Sequence, residues 1–207
     1  DGGGLVKASK DKNKFKWAQI AELLKYRQIW AICIGKFAST SALYFFLTWF
    51  PTYLIEERHL TMVKVGIFAV LPFIGATVGV LLAGAIADWM IRRGYSLSFS
   101  RKLPLVVGSA LGMSIMLVNF TDSNEVCIAL LTIAFFAQGI ASSSWAAVSE
   151  IAPKELIGLT GGVTSLAANI GGIVTPIVIG QILHVTGSFA YAFWFIGGVA
   201  LIGTLSY

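Results

Sequence analysis

The chain has 207 residues, of which 57% are hydrophobic and only 12% are charged, and its mean hydropathy is +0.80. Soluble domains carry about 25% charged residues, so this composition excludes a domain that faces water on all sides. The formal net charge is +5, but no aromatic platform or reading helix accompanies the basic residues, so nucleic acid is not an expected partner.

Two predicted elements precede the membrane. Residues 1–14 are rich in glycine, lysine and serine, which is typical of a flexible linker. Within residues 15–28, Trp17, Ile20 and Leu24 fall on one side of a helical wheel, while the charged residues lie elsewhere. This pattern predicts an amphipathic helix that lies on the membrane surface.

Six apolar segments follow, each long enough to cross a bilayer as a helix. The predicted spans are residues 29–54, 65–91, 103–120, 126–148, 157–183 and 189–207. Because the polar breaks between them are short, consecutive spans run antiparallel. The sequence thus predicts an all-α membrane protein with a six-helix bundle over residues 29–207.

Lysine and arginine residues lie mostly on one side of this bundle, twelve against two on the other side. In membrane proteins the cytoplasmic loops carry the excess of positive residues. We therefore expect a multi-pass chain in a lipid bilayer with a cytoplasmic N-terminal linker. Cys33 and Cys127 lie within apolar segments and have neither metal-ligand nor disulfide spacing, so we expect no metal and no cofactor.

Glycines and prolines inside the spans predict how the helices pack and bend. Glycines four residues apart let helix backbones approach closely. The pairs with this spacing are Gly75 with Gly79 and Gly108 with Gly112. Pro72 and Pro176 also lie within spans. They predict kinks, because each proline removes a helical hydrogen bond.

The first span carries a stripe of polar residues that has no reason to face lipid. Polar side chains recur at every fourth position: Lys36, Thr40, Tyr44 and Thr48. Lys36 is the only formal charge well inside a span. A lysine at this depth can snorkel back to the headgroups, whereas a whole polar stripe favours the wall of a cavity. We interpret the stripe as cavity-lining, with snorkelling as the alternative.

The fourth and fifth spans offer further polar side chains. In the fourth span they lie at Gln138, Ser142, Ser144, Trp145 and Ser149. In the fifth span Ser165 and Asn169 share one face, and an amide is costly to bury without a partner. For each serine, close helix packing alone stays open as the alternative. Together with Lys36, these hydroxyls and amides predict a cavity for a polar, anionic solute.

No aspartate or glutamate lies in the middle of a predicted span. Proton-coupled carriers commonly use a buried carboxylate as the proton site. If this protein is coupled to protons, the acid must therefore come from outside this chain.

Three runs of sequence carry a resemblance to a known family. They are FFLTWFPTYL (Phe45–Leu54), GAIADWMIRRG (Gly84–Gly94) and SEIAPKELIGLTGG (Ser149–Gly162). These runs resemble the C-terminal half of bacterial sugar-acid permeases of the galactonate, glucarate and hexuronate type, which belong to the anion:cation symporter branch of the major facilitator superfamily. The resemblance implies the C-terminal six-helix half of that fold, in a bacterial inner membrane, with an N-terminal six-helix half as its partner.

The resemblance also implies a substrate site between the two halves, at the middle of the membrane. Matched by motif, this half would supply Lys36, Tyr44, Ser142, Ser144, Trp145, Ser165 and Asn169. Galactonate- and glucarate-type carriers resemble this chain but have a glutamine where Lys36 stands. Hexuronate-type carriers are similar to it in the run Gly35–Phe37. This departure leaves hexuronates and aldarates open and weighs against galactonate.

A second set of residues is similar to the cytoplasmic loop motif of the superfamily: Gly84, Asp88, Arg92 and Arg93. Asp88 lies near a predicted helix C-terminus, where the macrodipole disfavours a carboxylate. An arginine or a neighbouring helix N-terminus would offset this cost. We expect Asp88, Arg92 and Arg93 to form a gate on the cytoplasmic side. The alternative is a solvated salt bridge, which contributes little.

The expected function is secondary active transport of an organic anion, most simply a sugar acid that moves with protons by alternating access. One alternative is transport of a different carboxylate, either by facilitated diffusion or with another coupling ion. A membrane sensor of the same fold that does not transport is another. An enzyme is not expected, because the sequence contains no nucleophile–base pair or phosphate-binding glycine loop. A channel would need a selectivity filter or a charged ring, and neither is visible.

Overall fold

The computed structural model describes Ile20, residues 23–142 and residues 157–206. Its helices are α1 (Arg27–Thr48), α2 (Phe50–Glu56), α3 (Met62–Arg92), α4 (Leu97–Gly112), α5 (Asn124–Ala141), α6 (Ile157–Thr186) and α7 (Phe189–Ser206). A 3₁₀ segment, Met113–Phe120, continues α4. Within these described ranges, six helical segments are long and apolar enough to cross a membrane, which confirms the predicted all-α membrane bundle. The predicted linker, residues 1–14, lies outside the described residues.

Several predicted boundaries differ from the observed helices. The first span, predicted as residues 29–54, is broken at Trp49 into α1 and α2, and two further differences have a local cause. The third span was predicted from residue 103, but α4 begins at Leu97 because the hydroxyl of Ser96 accepts a hydrogen bond from the Phe99 amide at 3.3 Å. The amphipathic helix was predicted to continue to residue 28. The chain instead turns at Leu24 before α1 begins, and the indole of Trp30 donates to the Leu24 carbonyl at 2.8 Å. Apart from Ile20, residues 15–22 of that helix lie outside the described residues.

The helices run antiparallel and divide the bundle into two sides. The near side holds the start of α1 and the turn between α3 and α4. The far side holds α2, the end of the 3₁₀ segment and the start of α7. Helix α1 packs mainly against α6 and α7, and α5 packs mainly against α3 and α4. Helices α1 and α5 contact each other much less, so each is the centre of a three-helix group, and α7 joins the two groups by packing against α4 and the 3₁₀ segment.

Glycines mark the places where these helices approach most closely. A Cβ at Gly139 of α5 would overlap the backbone of Ala76 in α3, and one at Gly79 would overlap the carbonyl oxygen of Phe136. A Cβ at Gly108 of α4 would lie 2.8 Å from the carbonyl oxygen of Ala137 in α5. Close packing therefore requires glycine at one member of each predicted pair, Gly79 and Gly108. A Cβ at Gly75 would lie 3.1 Å from the nearest backbone oxygen of α5, and one at Gly112 would meet only an ordinary contact.

Aromatic side chains fill the far-side half of the core. Its largest fully buried members include Phe45, Phe46, Phe50, Tyr53, Phe135 and Phe193. Phe46 and Phe135 stack with ring centroids 4.2 Å apart, which joins α1 to α5, and Tyr53 meets Phe193 of α7 edge-on at 4.9 Å. Ring pairs of this kind stabilise a core beyond their buried area.

Arg58 closes the far-side end of the bundle, just beyond α2. Its Nε donates to the Tyr53 hydroxyl at 2.6 Å, and its two terminal nitrogens donate to the carbonyl oxygens of Thr121 and Asp122 at 2.8 and 3.2 Å. The Tyr53 hydroxyl in turn lies 3.3 Å from the Sγ of Cys127 in α5. This set of contacts, the far-side clamp, ties the end of the first span to the third and fourth spans.

The charge of the clamp is stable to pH. Burial lowers the pKa of Arg58, but the hydrogen bond to Tyr53 and the nearby carboxylate of Asp122 raise it, and the net pKa lies above the ordinary value for arginine. The guanidinium therefore stays positive throughout the physiological range, and its hydrogen bonds are charge-assisted.

Candidate functional site

The polar stripe of α1 passes from the interior of the bundle to its surface. Lys36 is only 7% exposed, whereas Thr40 and Tyr44 are half-buried and Thr48 is exposed. The Thr48 hydroxyl donates to the Tyr44 carbonyl at 2.5 Å, so it is satisfied within its own helix. Within this half, the stripe therefore presents Thr40 and Tyr44 partly outward and holds Lys36 inward.

Tyr44 lies against α6 because α6 carries a glycine at the point of contact. A Cβ at Gly172 would lie 2.7 Å from Cε2 of the Tyr44 ring, so no larger residue fits there without moving the tyrosine. Asn169 precedes Gly172 by three residues and therefore lies one turn away on the same face of the helix. The structure thus places Tyr44 and Asn169, which sequence reasoning named separately, on adjoining turns of two packed helices.

Asn169 and Ser165 form a polar strip along α6. The side-chain nitrogen of Asn169 donates to the Ser165 carbonyl at 3.0 Å, which fixes the amide against its own helix. Asn169 is exposed and Ser165 is half-buried. The second N–H and the amide oxygen of Asn169 point away from that bond, and an amide offers both a donor and an acceptor to a ligand.

Gln138 of α5 has a structural partner that the sequence did not reveal. Its Nε2 donates to the backbone oxygen of Ser39 at 3.1 Å and to the Ser39 hydroxyl at 3.2 Å. A cavity of about 30 Å³ adjoins this bridge, lined mostly by small residues of α1, α4, α5 and α7. Ser39 was missed because it lies beside the four-residue stripe rather than on it.

The bridge fixes the depth of two predicted site residues. Ser142 follows Gln138 by one turn toward the near side, and Lys36 precedes Ser39 by three residues, also toward the near side. At about 1.5 Å per residue, both therefore lie roughly 5 Å from the bridge along their helices, at a similar depth. The Ser142 hydroxyl donates to the Gly139 carbonyl at 2.7 Å. Ser144 and Trp145 lie outside the described residues.

These side chains suit hydrogen bonding and charge pairing rather than metal coordination. Among the described residues, no group of three or more histidine, cysteine, aspartate or glutamate side chains is placed to hold a metal ion. Lys36, Tyr44 and Asn169 offer a cation, a hydroxyl and an amide, which together are the groups that bind a carboxylate and its neighbouring hydroxyls.

The predicted gate residues lie at the near-side end of α3. Asp88 and Arg92 are both exposed. Arg93 stacks on the ring of Trp89, with its Cζ 4.7 Å from the ring centroid, a cation–π contact. The guanidinium of Arg93 is thus placed over an aromatic face at the helix end.

Comparison with known proteins places these observations in a family context. The family model of the Major Facilitator Superfamily matches residues 4–176. The whole chain is 44% identical to a D-galactonate transporter of Escherichia coli O6:H1 and 39% identical to a probable galactarate/D-glucarate transporter of Bacillus subtilis, of which it covers 49% and 46%. It is also 31% identical, over 88% of its length, to a hexuronate transporter of Bacillus subtilis, of which it covers 44%. The chain therefore spans about half the length of the curated relatives it matches.

Proposed function

Because the chain belongs to the major facilitator superfamily, we propose that it forms the C-terminal half of a secondary transporter whose substrate is a sugar acid. The observation that carries this proposal is the packing of Tyr44 against Gly172 of α6, one turn from Asn169, in an otherwise apolar bundle. We propose that Lys36, Tyr44, Ser142, Ser165 and Asn169 form the polar wall of a substrate site. The transporter names of the relatives support an organic anion as substrate, and they support the expectation that the chain is not an enzyme.

Lys36 is the residue that we assign to the substrate carboxylate. A cation inside a membrane helix is costly unless it faces protein, water or an anion. Lys36 is nearly buried in this half, so we propose that its ammonium reaches the site when the wall opens toward the substrate. Ser144 and Trp145 stay part of the proposed site through the family resemblance alone.

The apolar surface of α3 and α6 supports an N-terminal half as the partner. These two helices are the least buried of the six spans, and residues such as Leu81 and Ile173 are 69% and 64% exposed. An apolar groove of about 520 Å³ also runs between α3 and α5. Apolar faces of this size need cover from lipid or from protein. We propose lipid around the bundle and a second six-helix half against part of α3 and α6.

We propose that the near side is cytoplasmic, which the charge distribution supports, and that the membrane is a bacterial inner membrane, which the bacterial relatives support. The basic residues of the sequence favour that orientation. The described carboxylates lie at helix ends or in turns, outside the middle of every span. If protons drive transport, as we propose, the acid that carries them belongs to the other half.

Asp88, Arg92 and Arg93 are the proposed gate on this cytoplasmic side. Asp88 is exposed at the end of α3, and Arg93 is engaged with Trp89, so we propose that Asp88 finds its gating partner on another element. Asp88→Asn in a full-length transporter should shift the accessibility of single cysteines between the two faces. Unchanged accessibility would indicate that Asp88 is an ordinary surface charge with no role in gating.

The role of Lys36 is tested by uptake of sugar acids into proteoliposomes that contain a full-length transporter with this chain as its second half. Lys36→Ala should lower uptake at least tenfold, because a hydrogen bond to a charged group contributes about 1.5–3 kcal/mol. Lys64→Ala is the matched control, since Lys64 is exposed at the far side, and it should leave uptake unchanged. Equal uptake by the two variants would refute the assignment.

A further inference from the structure

Prolines interrupt the backbone hydrogen bonding of two neighbouring spans at about the same depth. Pro51 follows the break between α1 and α2, and Pro176 lies inside α6. A proline has no N–H, so the carbonyl four residues earlier loses its helical donor. These carbonyls belong to Leu47 in α1 and Gly172 in α6. Both helices are therefore weakened against bending at the place where they pack together.

The side chain of Trp49 joins the two interruptions. Trp49 lies between α1 and α2, and its indole N–H donates to the carbonyl oxygen of Pro176 at 3.2 Å. The indole also lies against Gly180, where an added Cβ would be 3.3 Å from Cζ2. Phe189 of α7 covers it edge-on with ring centroids 6.5 Å apart. One residue at the break of the first span thus contacts the fifth span at its proline and one turn beyond.

The weak point of α6 lies directly at the proposed site. Gly172, whose carbonyl is freed by Pro176, is the residue on which the Tyr44 ring packs. Gly171 lies beside the backbone of Phe37 in the same way, with an added Cβ 2.7 Å from the Phe37 oxygen. A bend of α6 at Pro176 therefore changes the position of Asn169 relative to Tyr44, unless α1 bends with it.

Two buried hydroxyls lie in this packing. Ser41 of α1 and Thr175 of α6 are fully buried, and neither hydroxyl has a hydrogen-bond partner among the described residues. Ser41 lies beside Gly171, and Thr175 lies one helical turn beyond it. A buried unpaired polar group costs about 1–3 kcal/mol. An arrangement that pairs these hydroxyls would therefore compete closely with the observed one, as a bistable element requires.

We propose that Trp49 is a positioning residue that couples the bends of the first and fifth spans, so that Tyr44 and Asn169 move as one wall when the site changes its access. The coupling works through the indole–carbonyl hydrogen bond at the two interruptions. This inference rests on the proposed transport function for its consequence, but the coupling itself is testable without a substrate.

The direct test is Trp49→Phe in the full-length transporter, which removes the N–H and keeps an aromatic ring. Trp194→Phe is the matched control, because Trp194 is 48% exposed on α7 and its ring pairs edge-on with that of Phe120. Spin labels at Leu47→Cys and Ile177→Cys report the distance between the two helices near the joint, and both positions are exposed.

Coupling predicts a broader distance distribution for Trp49→Phe in the absence of substrate and no change for Trp194→Phe. The maximal rate of transport should then fall about fivefold or more, which corresponds to a typical coupling free energy. The affinity for substrate should be preserved. A distribution and a maximal rate like those of the control would overturn the inference. So would a loss of affinity that equals the loss of rate, because that would place Trp49 in binding.

A second variant keeps the inference testable if Trp49→Phe does not fold. Pro176→Ala restores an N–H to the Gly172 carbonyl, and it should stiffen α6 and lower the maximal rate while leaving binding intact. An unchanged rate would contradict the coupled bend. A native protein that binds no organic anion would instead refute the proposed function, whatever the spin-label distances show.

Discussion

The far-side clamp and the seam both involve the first span but differ in how their polar groups are paired. The seam is the contact between α1 and α6 around Gly171 and Gly172. In the clamp, Arg58, Tyr53 and Cys127 form a chain of hydrogen bonds in which each polar group has a partner. In the seam, the hydroxyls of Ser41 and Thr175 are equally buried, yet neither has a partner among the described residues. The polar groups of the clamp are thus all hydrogen-bonded, whereas two hydroxyls in the seam have no partner among the described residues.

The backbone shows the same contrast. The clamp caps the end of the 3₁₀ segment by binding two free carbonyls with a charged side chain, which holds that end of the bundle in one place. The seam is lined by Gly171 and Gly172 and interrupted by Pro176, so it allows close approach and bending. We propose that the far-side end acts as a fixed base and that the seam is the adaptable part of the proposed site.

The largest expected effect is on the clamp itself. Arg58→Ala removes three charge-assisted hydrogen bonds and should lower the free energy of unfolding by about 3 kcal/mol, measured by denaturant titration in detergent. Arg58→Lys should recover only part of this, because one ammonium cannot span three acceptors in a fixed fork. If Arg58→Ala is as stable as the native protein, the far-side end is not a fixed base.

The next effect should appear in the seam and should concern binding more than stability. Gly172→Ala forces the Tyr44 ring aside, and overpacking of this kind costs about 1–3 kcal/mol. We expect weaker sugar-acid binding in calorimetry of the full-length protein. Gly162→Ala is the control on the same helix, because nothing lies within 4 Å of its added Cβ. Equal affinities for the two variants would indicate that Tyr44 is not part of the substrate site.

A smaller effect is expected for Tyr53→Phe. The ring keeps its contacts with Phe189 and Phe193, but Arg58 and Cys127 both lose a hydrogen-bond partner. The unfolding free energy should fall by about 1 kcal/mol, and exchange of the amide hydrogens of residues 121–127 should become faster. Unchanged hydrogen exchange in that segment would mean that the tyrosine hydroxyl does not stabilise the start of α5.

The smallest effects are expected where a polar group has no partner. Ser41→Ala and Thr175→Val remove the unpaired hydroxyls at nearly constant shape, so stability should stay the same or rise slightly. Transport should slow if a second arrangement uses those hydroxyls. A loss of stability as large as that of Tyr53→Phe would show that the hydroxyls are already well paired in the native protein.

The clamp should also be insensitive to pH. Because the pKa of Arg58 is raised above its ordinary value, its stabilising effect is complete below the unfolded pKa and is lost only as the pH rises through the higher folded pKa. Across about pH 5 to 9 the stability difference between the native protein and Arg58→Gln should therefore stay constant. A difference that changes over this range would assign the titration to another group.

The six spans and their order followed from the sequence because apolar runs of about 18 or more residues have few alternatives to a membrane span. The break at Trp49 that separates α2 from α1 was not predicted. Polar residues at helical spacing predicted Tyr44 and Asn169 as site residues, and the fold places them on adjoining turns of α1 and α6. The partners were not predictable, because they lie far apart in the chain. Gln138 meets Ser39 across 99 positions, and Trp49 meets Pro176 across 127.

Arg58 illustrates the same limit. In the sequence it was a loop charge that counted toward orientation, and nothing local distinguished it from Lys64. Only the fold brings it to the carbonyls of Thr121 and Asp122. Periodicity indicates which face of a helix is polar, but the identity of the neighbour depends on the packing of the whole bundle.

The central claim is that this half supplies the wall of a sugar-acid site. It is tested most directly by uptake of labelled glucuronate, glucarate and galactonate into proteoliposomes that contain the purified full-length transporter. We predict accumulation of at least one of these anions above protein-free liposomes, abolished by Lys36→Ala and retained by Lys64→Ala. Native protein that accumulates none of them, or uptake that persists undiminished in Lys36→Ala, would contradict the account.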